Sequence, residues 1–240
     1  MRRTIWASLF ALATALVGTE AKALGGGTGW SLHGGDTLKA RDLALYGEIG
    51  YPDVAFGLRY GLSEKFDIGG RVALLWGGPW AGPSNLGGSA EFTMRFGLVK
   101  GPGFSVLLHL DPGLKVYRYG YDDPFFHNYY GCGRFWGYCN YGRALVGLTI
   151  PFGAEFGLHF NPKWTLQFGA DLNVDVFFAR VGGVGVVNPM GGAGFEFKPT
   201  DRMALGVNTR FGPTWFAGDY IYGGYAGWNV LAQFFIGGRL

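Results

Sequence analysis

The sequence lacks the features that indicate several common protein classes. It contains only two cysteines, charged residues make up 15% of its 240 residues, and the formal net charge is only +3. No apolar run of about 18 residues follows residue 23, so no transmembrane helix is expected there. No basic stripe or acidic tail occurs, so nothing points to nucleic-acid binding. Glycine (45 residues) and aromatic residues (18%) are abundant instead, which favours strands and turns over long helices.

The first 23 residues have the pattern of a secretory signal peptide. Arg2 and Arg3 precede an apolar run from Ile5 to Val17, and a small-x-small cleavage site ends at Ala23. We therefore predict cleavage after Ala23 and export from the cytoplasm. Residues 24–39 are glycine-rich and aperiodic, and we predict that they form a flexible periplasmic lead-in to a barrel domain spanning residues 40–240.

The clearest periodic pattern runs from Val54 to Trp76. Apolar residues alternate with small or polar residues, a polar turn interrupts them at 62–65, and the alternation then resumes. This pattern predicts an antiparallel hairpin. One side carries no charge, whereas the other carries Arg59, Asp67 and Arg71. In a transmembrane barrel the first side faces lipid and the second faces the lumen.

Ten such segments occur between residues 43 and 236. Short connections at 62–65, 100–103, 159–163 and 198–202 alternate with longer ones at 77–87, 118–142, 179–188 and 213–224. Only the first connection, a tight turn predicted at Tyr51–Asp53, breaks this contrast, because it lies on the side of the longer connections. We therefore predict an all-β fold, a transmembrane antiparallel up-and-down β-barrel of about ten strands, with eight or twelve as alternatives. Pro112 and Pro151 fall inside two strands and predict a bulge or an early strand end, because proline removes a ladder donor.

The chain resembles small outer-membrane β-barrel proteins of Gram-negative bacteria, similar to uncharacterised myxobacterial barrels. The signal peptide, the alternating strands and the turn sequence from Arg59 to Gly69 carry this resemblance. It implies an outer-membrane location, contact with membrane lipid and lipopolysaccharide, insertion by the barrel-assembly machinery, and a monomer. Barrels of this class usually end on an aromatic residue, and this chain departs from that pattern by ending on Leu240.

The predicted inward side of the strands carries charges of both signs. A network of paired charges that fills the interior is the favoured interpretation, giving a structural role. A narrow, porin-like polar pore is the alternative. The predicted lumen residues are Glu48, Arg59, Asp67, Arg71, Glu91, Arg95, His109, Asp111, Lys115, Arg143, Glu155, Asp171, Asp175, Glu196 and Arg210.

The connection at 118–142 is the most irregular part of the sequence. Cys132 and Cys139 lie in a predicted oxidising compartment, and we expect them to form a local disulfide. An aromatic, stapled loop suits the binding of a carbohydrate or a partner protein, although folding over the barrel mouth is the favoured interpretation. The candidate ligand residues are Tyr121, Phe125, Phe126, Tyr129, Tyr130, Phe135, Trp136 and Tyr138.

An outer-membrane hydrolase is the third hypothesis. His109 and Asp111 share the inward side and resemble a carboxylate–histidine pair that activates water. The omptin proteases resemble the chain in size only, because no Asp-x-His pair occurs, and the His-x-Ser pair of lipid A deacylases is also absent. We therefore predict that the chain is not an enzyme, and we identify neither a cofactor nor a metal site.

Overall fold

The computed structural model describes residues 30–77, 86–101, 103–118, 144–179, 182–218 and 221–240. The predicted signal peptide and residues 24–29 lie outside these residues. Within the described part of the chain, no helix is both long enough and apolar enough to cross a membrane.

Twelve β-segments form one antiparallel sheet that closes on itself. They are β1 (Leu43–Tyr51), β2 (Asp53–Ser63), β3 (Phe66–Leu75), β4 (Gly87–Lys100), β5 (Phe104–Leu110), β6 (Gly113–Arg118), β7 (Ala144–Thr149), β8 (Phe152–Asn161), β9 (Trp164–Ala179), β10 (Gly182–Thr200), β11 (Met203–Gly218) and β12 (Ile221–Arg239). The first and last strands pair with each other, and β9 pairs with β10, so no open edge remains in the described sheet.

Ten strands make up the wall of the barrel, because two pairs of segments are single strands interrupted by proline. Both β5 and β6 pair with β4, and both β7 and β8 pair with β9. The interruptions occur at Pro112 and Pro151, as predicted. The carbonyls of these prolines still accept hydrogen bonds from Phe92 and Asp111 at 2.8 Å, so the sheet continues across both breaks. The predicted ten-stranded antiparallel barrel is confirmed.

Two predicted long connections are shorter in the structure. Strands β9 and β10 pair up to Ala179 and Gly182, and β11 and β12 pair up to Gly218 and Ile221. The prediction of long loops at 179–188 and 213–224 is therefore wrong. The ladder is built from backbone groups, so glycine-rich residues pair even where side-chain alternation is weak.

The two sides of the wall differ sharply in polarity. Along β2, Val54, Phe56 and Leu58 are 43–54% exposed on the outer side, while Asp53 and Arg59 are buried on the inner side. The same alternation occurs around the described barrel, where large aliphatic and aromatic residues cover the exterior and buried polar residues face the lumen. The sheet is thus inverted relative to a soluble barrel with an apolar core.

Residues 30–38, here called the plug segment, lie inside the end of the barrel that carries the short connections. The Trp30 indole donates to the carbonyl of Asp201 at 3.0 Å, and the Thr37 hydroxyl donates to the carbonyl of Glu64 at 2.8 Å. Three apolar plug side chains, from Trp30, Leu32 and Leu38, have no exposed surface. The prediction that residues 24–39 form a flexible lead-in is therefore wrong for residues 30–38.

Apolar burial and close approach explain why the plug segment is ordered. Trp30, Leu32 and Leu38 share one buried cluster with wall residues that include Tyr46 and Phe235. Glycine lets the segment approach the wall, because a Cβ at Gly35 would lie 2.5 Å from the carbonyl oxygen of Ser105.

Candidate functional site

Arg95 on β4 is the main cationic anchor of the plug segment. Its guanidinium, only 3% exposed, donates to the carbonyls of Ser31, Leu32 and Gly34 at 3.1–3.4 Å, and also to the carbonyl of Asp36. Arg59 on β2 donates to the carbonyl of Leu32 as well. A segment with no strand or helix of its own needs such partners, because buried backbone groups must be hydrogen-bonded.

Two buried carboxylates hold the N–H groups of the same segment. Glu196 on β10 accepts from the Leu32 amide at 2.9 Å and from the Ser31 hydroxyl at 3.0 Å. Asp67 on β3 accepts from the Leu38 amide at 2.9 Å. Lys198, which is 1% exposed, donates to the carbonyl of Trp30 and lies 3.3 Å from Glu196. The wall therefore offers donors to the carbonyls of the plug segment and acceptors to its amides.

Two histidine–carboxylate contacts also join the plug segment to the wall. His33 lies 2.8 Å from Glu48, and Asp36 lies 3.2 Å from His159. Burial lowers the pKa of His33, and this effect exceeds the opposing effect of Glu48. Burial alone would raise the pKa of Asp36, but the contact with His159 and the positive charges of Lys198 and Lys100 together outweigh it, so the pKa lies below its ordinary value. These contacts therefore favour the anionic form of Asp36.

A cavity of about 220 Å³ lies between the plug segment and the opposite end of the barrel. Leu32, His33 and Gly34 of the plug segment line it together with charged, polar and apolar side chains of the wall. Arg71 is the centre of one charged group, because it lies 2.8 Å from Glu48, 2.8 Å from Asp53 and 3.5 Å from Glu91.

A second charged group surrounds His109 and Arg210. The two ring nitrogens of His109 lie 2.6 Å from Asp111 and 2.9 Å from Asp171. Arg210 donates to Asp171 and to Glu155. Two glycines leave room for these contacts. A Cβ at Gly153 would lie 2.4 Å from Asp171, and a Cβ at Gly169 would lie within 2.4 Å of three guanidinium atoms of Arg210.

This second group is arranged as an ion-pair network. Ligand atoms of His109, Glu155 and Asp171 lie within 4.8 Å of one another, which is close enough to hold a metal ion. The guanidinium of Arg210 already bridges both carboxylates, and both imidazole nitrogens of His109 face carboxylates. In this arrangement no ring nitrogen of His109 is left to take a proton from water.

The structure places fourteen of the predicted lumen residues inside the barrel, while Arg143 lies outside the described residues. Glu48, Arg71 and Glu91 form the first charged group, and Lys115 lies 3.0 Å from Asp175 near it. Four of these residues contact the plug segment, namely Arg59, Asp67, Arg95 and Glu196. His109, Asp111, Glu155, Asp171 and Arg210 form the second group.

Sequence reasoning missed several interior residues. Asp53 belongs to the predicted turn at Tyr51–Asp53, but in the structure it begins β2, continues the inward alternation of Ala55 and Arg59, and is 4% exposed. Extending the period-two pattern by one step would have found it. Lys198 was assigned to a polar turn, and His33 to the flexible lead-in. Neither has a local sequence signal, because both are placed by distant partners.

The predicted disulfide and the aromatic ligand residues lie outside the described residues. Only Arg118, at the start of the 118–142 connection, belongs to a described strand. The pairing of Cys132 with Cys139 and the proposed role of this loop stay predictions.

Comparisons with known proteins give little further information. No protein family matches the chain, and no curated protein matches it. Among solved structures, the outer membrane protease OmpT from Escherichia coli is similar, with a TM-score of 0.35 and 10% sequence identity over 83% of this chain and 92% of that chain. This similarity is too distant to assign an activity.

Proposed function

We propose that this protein is an integral outer-membrane β-barrel whose lumen is closed by its own plug segment. In this proposal the role is structural and the barrel does not conduct. The observation that carries the proposal is the burial of residues 30–38 against Arg95, Glu196 and Asp67.

The outer surface supports a membrane location. Phe56, Val72 and Phe211 are 54–60% exposed, and large apolar residues recur at the outward positions of the described strands. Contiguous apolar surface of this extent is unfavourable in water and suits the hydrocarbon region of a bilayer. The charged side chains face the lumen and not the outer surface, as expected for a barrel that spans a bilayer.

The contacts of the plug segment support closure. Its carbonyls and amides bind charged wall residues, and hydrogen bonds to charged groups contribute about 1.5–3 kcal/mol each. Withdrawing the segment would leave the guanidinium of Arg95 and the carboxylate of Glu196 without these partners. A ten-stranded barrel has a narrow interior, so a segment of nine residues fills much of one end.

Cysteine accessibility tests the burial of the plug segment directly. In a chain with Cys132→Ser and Cys139→Ser, we would place a single cysteine by Leu38→Cys or by Lys39→Cys and add a membrane-impermeant maleimide to the folded barrel. Leu38 has no exposed surface, whereas its neighbour Lys39 is exposed, so only the second variant should react rapidly. Denaturation should make both react equally. Rapid labelling of Leu38→Cys in the folded barrel would contradict the proposal.

A further inference from the structure

One pairing in the barrel joins strands from opposite ends of the chain. β1 pairs with β12, from Ala44 opposite Arg239 to Tyr51 opposite Ala232. If the interrupted strands β5–β6 and β7–β8 are each counted once, every other pairing in the described sheet joins strands that follow one another in sequence. Bringing distant parts of a chain together costs more entropy than closing a hairpin, and no turn fixes the register of such a pair. The β1–β12 pair, here called the seam, is therefore the pairing that most needs support.

The alternation of side chains leaves the register of the seam open. In both strands residues at every second position face the lumen, so a slip of two residues would keep the outer side apolar. Such a slip, in either direction, would replace Gly237, the residue opposite Tyr46, by Phe235 or Arg239. Alternation alone therefore does not distinguish the observed register from these two.

The buried apolar contacts of the plug segment are concentrated at the seam. Trp30, Leu32 and Leu38 belong to one buried cluster, and its wall residues come from three adjacent strands. These wall residues are Ala44 and Tyr46 on β1, Ala204 on β11 and Phe235 on β12. The hydrogen bonds of the segment are distributed differently, because they also reach β2, β3, β4 and β10. Apolar contact thus distinguishes the seam from the rest of the wall.

Ring contacts extend this packing to both strands of the seam. The imidazole of His33 has its ring centroid 4.6 Å from that of Phe235 on β12 and 6.0 Å from that of Tyr46 on β1. The guanidinium carbon of Arg239, at the end of β12, lies 5.7 Å from the centroid of the Trp30 ring. The plug segment therefore contacts β12 at two places and β1 beside one of them.

Leu32 fits against the seam where β12 has a glycine. A Cβ at Gly237 would lie 2.7 Å from Cδ1 of Leu32, and equally close to Cβ of Tyr46 and to the carbonyl oxygen of Leu45. In either slipped register a phenylalanine or an arginine would take the place of this glycine. The docked segment is therefore compatible with the observed register and leaves no room for the slipped ones.

We propose that the plug segment is also an internal clasp that holds β1 against β12 in the observed register. A short tether at 39–42 joins the segment to β1, and its apolar side chains pack on β12. Because the tether is short, docking the segment adds little loop-closure entropy to that of the seam. The clasp rests on the docked segment of the proposed function, and it adds that docking stabilises the sheet as well as closing the lumen.

Hydrogen–deuterium exchange of the folded barrel in detergent, followed by mass spectrometry, tests the clasp. Leu32→Ala removes a buried side chain but keeps the backbone groups that bind Glu196 and Arg59. We expect the amides of the seam to exchange at least about tenfold faster in this variant, because the seam opens more often, while the amides between β3 and β4 exchange as before. Leu32→Val removes less of the side chain and should give a smaller rise in the same strands, so it provides a reading if Leu32→Ala does not fold.

Thr37→Val is the matched control within the plug segment. Thr37 is buried and donates to the carbonyl of Glu64 in the turn between β2 and β3, but it does not belong to the apolar cluster. Its replacement should leave exchange at the seam unchanged. Unchanged exchange at the seam in both Leu32 variants, or an equal rise between β3 and β4, would overturn the clasp.

Cysteine labelling separates failure of the clasp from failure of the proposed function. The labelling rate of Leu38→Cys reports whether the segment is docked, whereas exchange at the seam reports whether docking supports the sheet. Slow labelling with Leu32 unchanged, together with unaltered seam exchange in the Leu32 variants, would overturn the clasp alone. Rapid labelling of Leu38→Cys with Leu32 unchanged would contradict the docked segment and, with it, both proposals.

Discussion

Replacing Arg95 with alanine is expected to release the plug segment from the wall of the barrel. The guanidinium is buried and donates to four carbonyls of the segment, and it lies 3.8 Å from the buried carboxylate of Asp67. Removing one member of a buried charge pair costs about 3–5 kcal/mol, because the remaining charge is left uncompensated. If that cost falls on the docked state, the labelling rate of Leu38→Cys should rise by at least about a hundredfold.

Arg202→Ala provides the control for this prediction. Arg202 lies in an exposed turn at the same end of the barrel, and the hydrogen bonds that the structure gives it involve only its backbone. Its replacement removes the same charge and should leave the labelling rate of Leu38→Cys unchanged. Equal, slow labelling in the Arg95→Ala and Arg202→Ala barrels would show that Arg95 does not hold the segment.

An arginine on the outer face should strongly destabilise the barrel in a bilayer. Val72 is 57% exposed in the middle part of β3, between Phe56 on β2 and Ala90 on β4. Val72→Arg should lower the free energy of unfolding by about 2–4 kcal/mol if this position lies near the bilayer midplane. The measurement is denaturant unfolding of the barrel from lipid vesicles, followed by tryptophan fluorescence.

Leu62→Arg is the matched control, because it adds the same charge near the turn between β2 and β3. Leu62 is 49% exposed, and a charge close to the membrane interface costs only about 0–1 kcal/mol. A soluble barrel would tolerate both substitutions within about 0.5 kcal/mol, since both positions would face water. Equal and small effects of the two variants would therefore contradict a membrane location.

The wall of the barrel was predictable from the sequence because its information is local. Alternation along Val54–Tyr60 placed Arg59 inside and Phe56 outside, and the structure has the same arrangement. Pro112 and Pro151 marked the two breaks, since the missing N–H of proline acts at its own position. The strand ends near Ala179 and Gly218 were missed because a backbone ladder can continue through glycine-rich sequence.

The plug segment could not be predicted, because its order depends on distant residues. Residues 30–38 have no period that marks a strand or a helix, and glycine-rich sequence ordinarily indicates a flexible linker. The segment is ordered by wall residues that are far from it in sequence. Glu196, which is 164 residues from Leu32, accepts the amide hydrogen of Leu32, and Arg95 donates to the carbonyls of the segment. The sequence shows these wall charges only as inward residues, without the partner that each one binds.

Single-channel conductance in a planar bilayer tests closure of the lumen most directly. The chain from residue 24 onwards would be refolded, and heat-modifiable gel migration would show that it is folded. A matched chain starting at residue 39 lacks the plug segment and provides the open reference. We expect no current steps from the longer chain and stable ohmic steps from the shorter one. Stable steps of equal size from both folded chains would contradict closure by residues 30–38.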